Sequence, residues 1–169
     1  KKIESGSIYT MKLLRRGESM EIGKDKKILK KLRVADIVVS NCITIDMDTP
    51  FTEILRLMRT TNADGFPVLD GDGGLVGMVG LQQISKALQK EESQEHLLTS
   101  DLVVSEQYAL TLNKDLLEVY DEMRIGGQGC LPVVDEGDNK KFIGIVTRFH
   151  VMSMYNKELV LLQGAGKEE

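Results

Sequence analysis

Few residues of this sequence are of the types that perform catalysis or bind metals. The 169 residues include two histidines, His96 and His150, and two cysteines, Cys42 and Cys130. None of them stands at the short spacing of a zinc site, and no base is implied beside either thiol. We therefore expect no metal site and no enzymatic activity, and we interpret the cysteines as reduced thiols that fill the core.

Two glycine-rich stretches resemble ligand loops but lack essential residues. Residues 70–74, Asp-Gly-Asp-Gly-Gly, begin like a calcium loop, but Gly74, Leu75 and Leu81 stand where that loop needs a ligand, a glycine and a glutamate. Residues 126–129 follow a predicted helix instead of preceding one, so they are not a phosphate loop. The first stretch predicts a hairpin turn, and the second predicts the end of a helix.

The strongest structural signal is a pair of hairpins. Residues 66–69, Phe-Pro-Val-Leu, predict an apolar strand, residues 70–74 a turn, and residues 75–79 the returning strand. The same design recurs at residues 131–147. Two hairpins in matching contexts indicate a repeated architecture.

Helical patterns accompany the first hairpin. Residues 51–61 carry an apolar stripe at helical spacing, and we expect Asp48 or Thr49 to cap this helix. Residues 81–94 predict another helix after the hairpin, and residues 43–45 predict a short strand before the first helix. Strand, helix, hairpin and helix thus follow one another.

The basic beginning of the chain also contains helical patterns. Residues 7–17 are typical of the last turns of a helix that stops at Gly17. A lysine-rich stretch, residues 24–33, predicts a second short helix that leads to Val34.

An offset of 65 residues superimposes the second half of the chain on the first. Ile45 falls on Leu110, and residues 66–70 fall on residues 131–135. This duplication predicts two β-α-β-β-α units, an α/β (α+β) fold in which each unit has a three-stranded sheet. We expect the units to pack sheet to sheet about a pseudo-twofold axis, which leaves two clefts suited to small ligands.

The charge is divided unevenly between the ends of the chain. Residues 1–33 hold eleven basic and four acidic residues, a net charge of +7, whereas residues 34–169 have a net charge of −11. A basic arm favours an anionic membrane surface or nucleic acid, and the acidic body argues against nucleic acid. No apolar run approaches the roughly 18 residues of a membrane helix. The predicted divisions are a basic arm (1–33), a first repeat (34–94), a second repeat (95–157) and a C-terminal tail (158–169).

The repeated unit resembles a cystathionine-β-synthase (CBS) domain, and the tandem resembles a Bateman module. The residues that carry the resemblance are 65–70, Gly-Phe-Pro-Val-Leu-Asp, with 75–79, and their copies 130–135 and 142–147. The resemblance implies a regulatory domain that binds an adenine nucleotide, ATP, ADP or AMP.

The arm resembles a segment of a membrane-protein family. Residues 7–17, Ser-Ile-Tyr-Thr-Met-Lys-Leu-Leu-Arg-Arg-Gly, are similar to the exit from the last membrane helix of ClC chloride channels and transporters. This resemblance implies a cytosolic domain on the cytoplasmic side of a membrane, attached to an upstream chloride-transporting domain. An ordinary amphipathic helix on a soluble CBS protein is the alternative interpretation.

The CBS resemblance also implies where a nucleotide would bind. The family motif is Gly-apolar-apolar-Thr/Ser-x-x-Asp, and the second copy reads Gly144-Ile145-Val146-Thr147-Arg148-Phe149-His150, with His150 in place of the carboxylate. The first copy, residues 77–83, has neither hydroxyl nor carboxylate. The nucleotide-binding positions implied by the resemblance are Cys42, Ile43, Thr44, Ala63, Asp64, Phe66, Pro67, Gly144, Thr147, Arg148 and His150.

These observations favour a regulatory CBS-pair domain of a ClC-type chloride channel or transporter. We expect it to form a homodimer through the helices at residues 51–61 or 115–125 and to modulate transport, with nucleotide binding as a possible control. The alternatives are a stand-alone soluble adenylate sensor and a structural dimerisation module that binds no ligand.

Overall fold

Helices and strands follow one another as the duplication predicts in the computed structural model, which describes residues 24–90, 94–104 and 109–165. The helix predicted at residues 7–17 lies outside the described residues. The elements are α1 (Lys24–Lys31), β1 (Ile45–Asp46), α2 (Phe51–Thr60), β2 (Gly65–Leu69), β3 (Leu75–Gly80), α3 (Leu81–Leu88), α4 (Thr99–Leu102), α5 (Leu116–Gly126), β4 (Cys130–Val134), β5 (Phe142–Thr147) and α6 (Arg148–Ala165). The predicted α/β class is confirmed.

The two sheets differ in size. In the first repeat β1 runs parallel to β2, and β2 pairs antiparallel with β3. In the second repeat β4 pairs with β5, and among the described residues only Leu110, bridged in parallel to Val133, stands in place of a third strand. The prediction of three strands in each repeat is therefore wrong for the second, because its first strand is reduced to a single paired residue.

The start of α2 differs from the prediction. Pro50 occupies the N-cap position without a side-chain hydrogen bond, and Thr49 Oγ1 instead accepts a hydrogen bond from the Asp46 N–H at 3.1 Å. At the equivalent place in the second repeat, Asp115 accepts the Glu118 N–H at 3.0 Å and caps α5. The expected cap by Asp48 or Thr49 is wrong, because the helix begins later and Thr49 serves the preceding turn.

Two helix ends also differ from the prediction. The helix predicted at residues 81–94 ends at Leu88, since the polar residues that follow offer nothing to bury. Conversely, α6 continues to Ala165, so that residues 158–165 of the predicted tail are helical. The short helix predicted at residues 24–33 is confirmed as α1.

The segment that enters each repeat is hydrogen-bonded to the other repeat. The Val34 N–H donates to the Lys114 carbonyl at 3.0 Å, and the equivalent Thr99 N–H donates to the Thr49 carbonyl at 2.9 Å. The same offset relates the Ala35-to-Leu112 and Ser100-to-Met47 hydrogen bonds. The bridges Val39–Ile145 and Val104–Met78 are equivalent as well, with Met78 and Ile145 67 residues apart because the second hairpin has two extra residues. Residues 34–39 thus bond to the second repeat and residues 99–104 to the first, and this exchange of entry segments follows the predicted pseudo-twofold relation.

Two glycines permit this exchange. A β-carbon on Gly77 would clash with the Val104 carbonyl oxygen, and one on Gly144 would clash with the Val39 carbonyl oxygen. Only glycine lets the entering backbone approach these strands so closely.

Apolar side chains form two clusters that follow the exchange. The first cluster combines the second repeat with residues that enter the first, including Val34 and Ile37, and it also contains Ile28 and Leu29 of α1. The other cluster surrounds Phe51 and takes in partly buried side chains that enter the second repeat. Part of the predicted basic arm therefore belongs to the folded body.

Candidate functional site

A cleft of about 60 Å³ lies between the two repeats. Its walls are the junction of β3 with α3 on one side and the residues that precede β4 on the other. The lining residues are Asp64, Gly65, Met78, Gly80, Leu81, Gln82, Gln83, Gly127, Gln128, Gly129 and Cys130. The Gln82 Nε2 spans the cleft and donates a hydrogen bond to the Gly127 carbonyl at 3.3 Å. The cleft thus joins the end of one hairpin to the beginning of the other.

Asp64 lies at the middle of this inter-repeat region. It precedes β2, and its equivalent under the 65-residue offset is Gly129, which precedes β4. A β-carbon on Gly129 would lie 3.4 Å from Asp64 Cβ. The two equivalent positions therefore face each other, and only one of them carries a side chain.

The Asp64 carboxylate influences the neighbouring titratable groups. Burial, followed by the charge of Asp64 and then by Cys42, raises the pKa of the Cys130 thiol to about 12. Burial lowers the pKa of His150, and Asp64 acts in the opposite direction. Cys130 is therefore a neutral thiol at physiological pH and a poor nucleophile. Both cysteines are free: Cys130 is buried, as predicted for a core thiol, and Cys42 is half-buried.

The ends of both sequence motifs stabilise the starts of helices. His150 Nδ1 accepts the Thr147 N–H at 3.2 Å, and Thr147 Oγ1 accepts the His150 N–H at 3.2 Å. In the first repeat Gln83 Oε1 accepts the Gly80 N–H at 3.0 Å. Since Nδ1 of His150 is an acceptor, the neutral ring carries its proton on Nε2.

Arg148 is directed at the end of another helix. Its guanidinium donates to the carbonyls of Met123 and Gln128, at 3.4 and 3.5 Å, and its backbone N–H donates to the Gly129 carbonyl at 2.9 Å. A cation at these carbonyls interacts favourably with the C-terminal end of α5.

The other predicted site residues fall into two groups. Phe66 and Pro67 are buried in the first repeat, and the buried Gly144 lies against Val39. Ile43 and Thr44 are exposed, Ala63 is half-buried and Asp64 is exposed. Electrostatic interactions therefore link Asp64 to Cys130 and His150, and Cys42 to Cys130, while Phe66 and Pro67 contribute to the core.

Sequence reasoning missed the wall formed by residues 80–83 and 127–130. The motif of the first repeat has neither a hydroxyl nor a carboxylate, so its residue types do not indicate a binding wall. Applying the 65-residue offset to Asp64 would have identified Gly129 and, with it, the segment before β4. Within the described ranges, no group of three or more His, Cys, Asp or Glu side chains is placed to hold a metal ion.

Comparison with known proteins identifies the family. The CBS domain model matches residues 34–90 and 97–157. The chain belongs to the CBS domain family and contains two CBS domains, which form a regulatory rather than a catalytic class of module.

Curated relatives carry this pair within larger proteins. The chain is 29% identical over 130 residues to a homoserine O-acetyltransferase from Methanosphaera stadtmanae, and 26% identical over 130 residues to an inosine-5′-monophosphate dehydrogenase from Methanocaldococcus jannaschii. The match covers 76% of this chain and 25% of each relative. The chain thus spans about a quarter of the length of these curated relatives.

Solved structures share the fold. A CBS domain pair in complex with 5′-methylthioadenosine and S-adenosyl-L-methionine has a TM-score of 0.65 and 22% identity, covering 75% of this chain and 98% of the other. CBSX2 in complex with AMP has a TM-score of 0.65 and 25% identity, with the same coverage. The CBS domain of a bacterial CNNM/CorC family Mg²⁺ transporter in complex with ATP has a TM-score of 0.64 and 20% identity. The match covers 79% of this chain and 93% of the other.

The hydropathy of the helices was also compared with that of membrane spans. None of the helices in the described part of the chain has the length and apolar character needed to cross a bilayer.

Proposed function

We propose that this chain is a regulatory CBS-pair module that binds an adenosine-containing ligand between its repeats. The observation that carries the proposal is the cleft in which the junction of β3 and α3 meets the segment before β4. Backbone groups of four glycines and three glutamine side chains line it, which suits hydrogen bonding to a base or a ribose. Since about 60 Å³ is less than the roughly 300 Å³ of small-molecule pockets, the ligand must displace the Gln82 side chain that spans the cleft. Solved CBS pairs of similar fold bind AMP, ATP or S-adenosyl-L-methionine, which supports this ligand class.

A signal can leave the cleft through α6. This helix starts at Arg148, next to the cleft, and two turns later its Tyr155 hydroxyl donates to Asp25 of α1 at 2.5 Å. Ile28 and Leu29 of α1 are buried in the same cluster as Tyr155. A ligand that binds two positions of α6 with different affinity would therefore shift α1 and the basic segment before it.

Calorimetry tests the proposal. Titration of the chain with ATP, ADP, AMP and adenosine should give heat for at least one of them at millimolar concentration or below. The substitutions Thr147→Ala and His150→Ala should each weaken binding, because the two residues hold the start of α6 at the cleft. Absence of heat with these four compounds and also with S-adenosyl-L-methionine and 5′-methylthioadenosine would contradict the proposal.

Attachment to a ClC-type membrane domain is the second candidate. The resemblance of residues 7–17 and the net charge of +7 over residues 1–33 favour it, since basic residues concentrate in cytoplasmic segments that flank membrane helices. A stand-alone sensor is supported by the similarity to CBSX2 in complex with AMP, since the match covers 98% of that chain. The sequence encoded upstream of Lys1 distinguishes the two.

The predicted homodimer has candidate surface residues. Ile125 at the end of α5 is 78% exposed, and Phe149 at the start of α6 is 66% exposed. Exposed apolar side chains of this size favour a protein interface. Sedimentation should detect a dimer that Ile125→Lys dissociates, and a monomeric parent protein would contradict this assignment.

A further inference from the structure

The inter-repeat cleft has an unusual charge for a phosphate-binding site. Among its described lining residues, Asp64 carries the only carboxylate, and there is no lysine, arginine or histidine. Burial keeps the other ionisable lining group, the Cys130 thiol, neutral at physiological pH because its pKa is about 12. The lining therefore has a net negative charge, whereas phosphate sites normally place arginine, lysine or several backbone N–H groups on the ligand.

The cation at the start of α6 does not offset this charge. The Arg148 guanidinium is directed at the carbonyls of Met123 and Gln128, where α5 ends. To reach a phosphate in the cleft, the guanidinium would have to leave both carbonyls.

The start of α3 provides a smaller positive potential. A helix N-terminus is equivalent to about half a positive charge, and its effect falls off within the first turn. Here one of its N–H groups, that of Gly80, is already bonded to Gln83 Oε1. This half charge is smaller than the full negative charge of the Asp64 carboxylate in the same lining.

We infer that this cleft selects adenosine compounds whose 5′ substituent is uncharged or cationic, and that Asp64 excludes those with a 5′ phosphate. The inference rests on the proposed function and specifies its ligand class. Two carboxylate oxygens can accept hydrogen bonds from a vicinal diol or pair with a ligand cation. Met78 and Leu81 supply apolar surface in the same lining.

The experiment compares the affinities of five compounds by calorimetry near neutral pH. Adenosine, 5′-methylthioadenosine and S-adenosyl-L-methionine represent ligands without phosphate, and AMP and ATP represent phosphates. In the parent protein at least one of the first three should bind about tenfold more tightly than AMP or ATP, because one repulsive charge pair at a partly exposed site has this magnitude.

The variant Asp64→Asn is isosteric and removes the charge. Asp64 is exposed, so the variant should fold normally, as circular dichroism can verify. AMP binding should strengthen about tenfold, and binding of S-adenosyl-L-methionine should weaken. The matched control is Asp72→Asn, which removes the same charge at the turn of the first hairpin, at the opposite end of β2 and β3 from Gly65 and Gly80.

The outcomes separate the two levels of the proposal. Binding of AMP or ATP as tight as that of the compounds without phosphate would overturn the selectivity and leave the proposed function standing. An unchanged preference in Asp64→Asn, or an equal change in Asp72→Asn, would overturn the role of Asp64. Absence of binding by all five compounds would contradict both the selectivity and the proposed function.

Discussion

Asp64 and Gly129 occupy equivalent positions in the two repeats and face each other between them. A β-carbon on Gly129 would be 3.4 Å from the β-carbon of Asp64 and 3.5 Å from its Cγ. The two repeats thus place one carboxylate between them, at a point where two aspartates would put like charges side by side. Like charges this close raise the pKa of one partner and destabilise the folded state at neutral pH.

The substitution Gly129→Asp should therefore destabilise the protein. We expect the free energy of unfolding at pH 7 to fall by about 1–2 kcal/mol, because a second carboxylate would stand beside Asp64. Urea denaturation measures the effect. Gly129→Ala is the control, since its β-carbon makes only ordinary contacts, and Asp64→Asn combined with Gly129→Asp should recover most of the loss. A stable Gly129→Asp protein would contradict the facing arrangement.

Substitution of the glycines at the exchanged segments should have a larger effect. Gly77→Ala and Gly144→Ala would each force a β-carbon against a backbone carbonyl that cannot move away easily. We expect each to lower the free energy of unfolding by about 2–3 kcal/mol. Gly71→Ala provides the control, because no heavy atom lies within 4 Å of its β-carbon position. Equal stability of all three variants in urea would show that the segments do not approach so closely.

Removal of the Tyr155 hydroxyl should loosen α1. Tyr155 is 4% exposed and donates to the Asp25 carboxylate, so Tyr155→Phe loses a hydrogen bond to a charged group while the aromatic ring stays in place. The expected cost is about 1–2 kcal/mol of unfolding free energy, with faster hydrogen exchange in α1. Tyr120→Phe on α5 is the matched control, because the Tyr120 hydroxyl makes no hydrogen bond within the described residues. Unchanged exchange in α1 would count against its attachment through Tyr155.

His150 should make the stability depend on pH. Burial lowers its pKa in the folded protein below the value of about 6.5 in the unfolded chain. Protonation therefore favours the unfolded state: the stabilisation is complete above about pH 6.5 and is lost as the pH falls through the folded pKa. A protonated Nδ1 also could not accept the Thr147 N–H.

The variant His150→Gln tests this dependence. Urea denaturation at about pH 7.5 and 5.5 should show a smaller loss of stability for His150→Gln than for the parent protein. The control is His96→Gln, at an exposed position, which should behave like the parent. An identical pH dependence in His150→Gln and the parent would contradict the role of His150.

The sequence predicted the local elements well where turn chemistry and apolar periodicity agreed. The residues of both hairpins and the stripe around Phe51 and Ile54 allow one local structure only, and the 65-residue offset made the pseudo-twofold relation visible. The prediction from sequence was wrong at the cap of α2, because Thr49 could accept a hydrogen bond either from the helix or from the preceding turn. It also failed at the first strand of the second repeat, because a single pairing residue, Leu110, has no periodicity.

The candidate site was less predictable than the fold. Motif residues such as Thr147 and His150 were recognisable by resemblance, but the wall at residues 80–83 carries no chemical signature of its own. Its place in a cleft depends on contacts with residues 127–130, almost 50 positions later in the chain. Long-range contacts of this kind leave no local pattern, and only the duplication gave a route to them.

The exchanged entry segments mean that neither repeat is an independent folding unit. A fragment ending at Lys90 would lack the hydrogen-bonding partners that Thr99 and Ser100 give to Thr49 and Met47, and the complementary fragment would lack Val34 and Ala35. Two such fragments should therefore be poorly folded when separate and should reconstitute the native structure when mixed. Two copies of one repeat could also satisfy each other in this way. The single chain thus resembles a covalently joined dimer whose two subunits exchange their N-terminal segments.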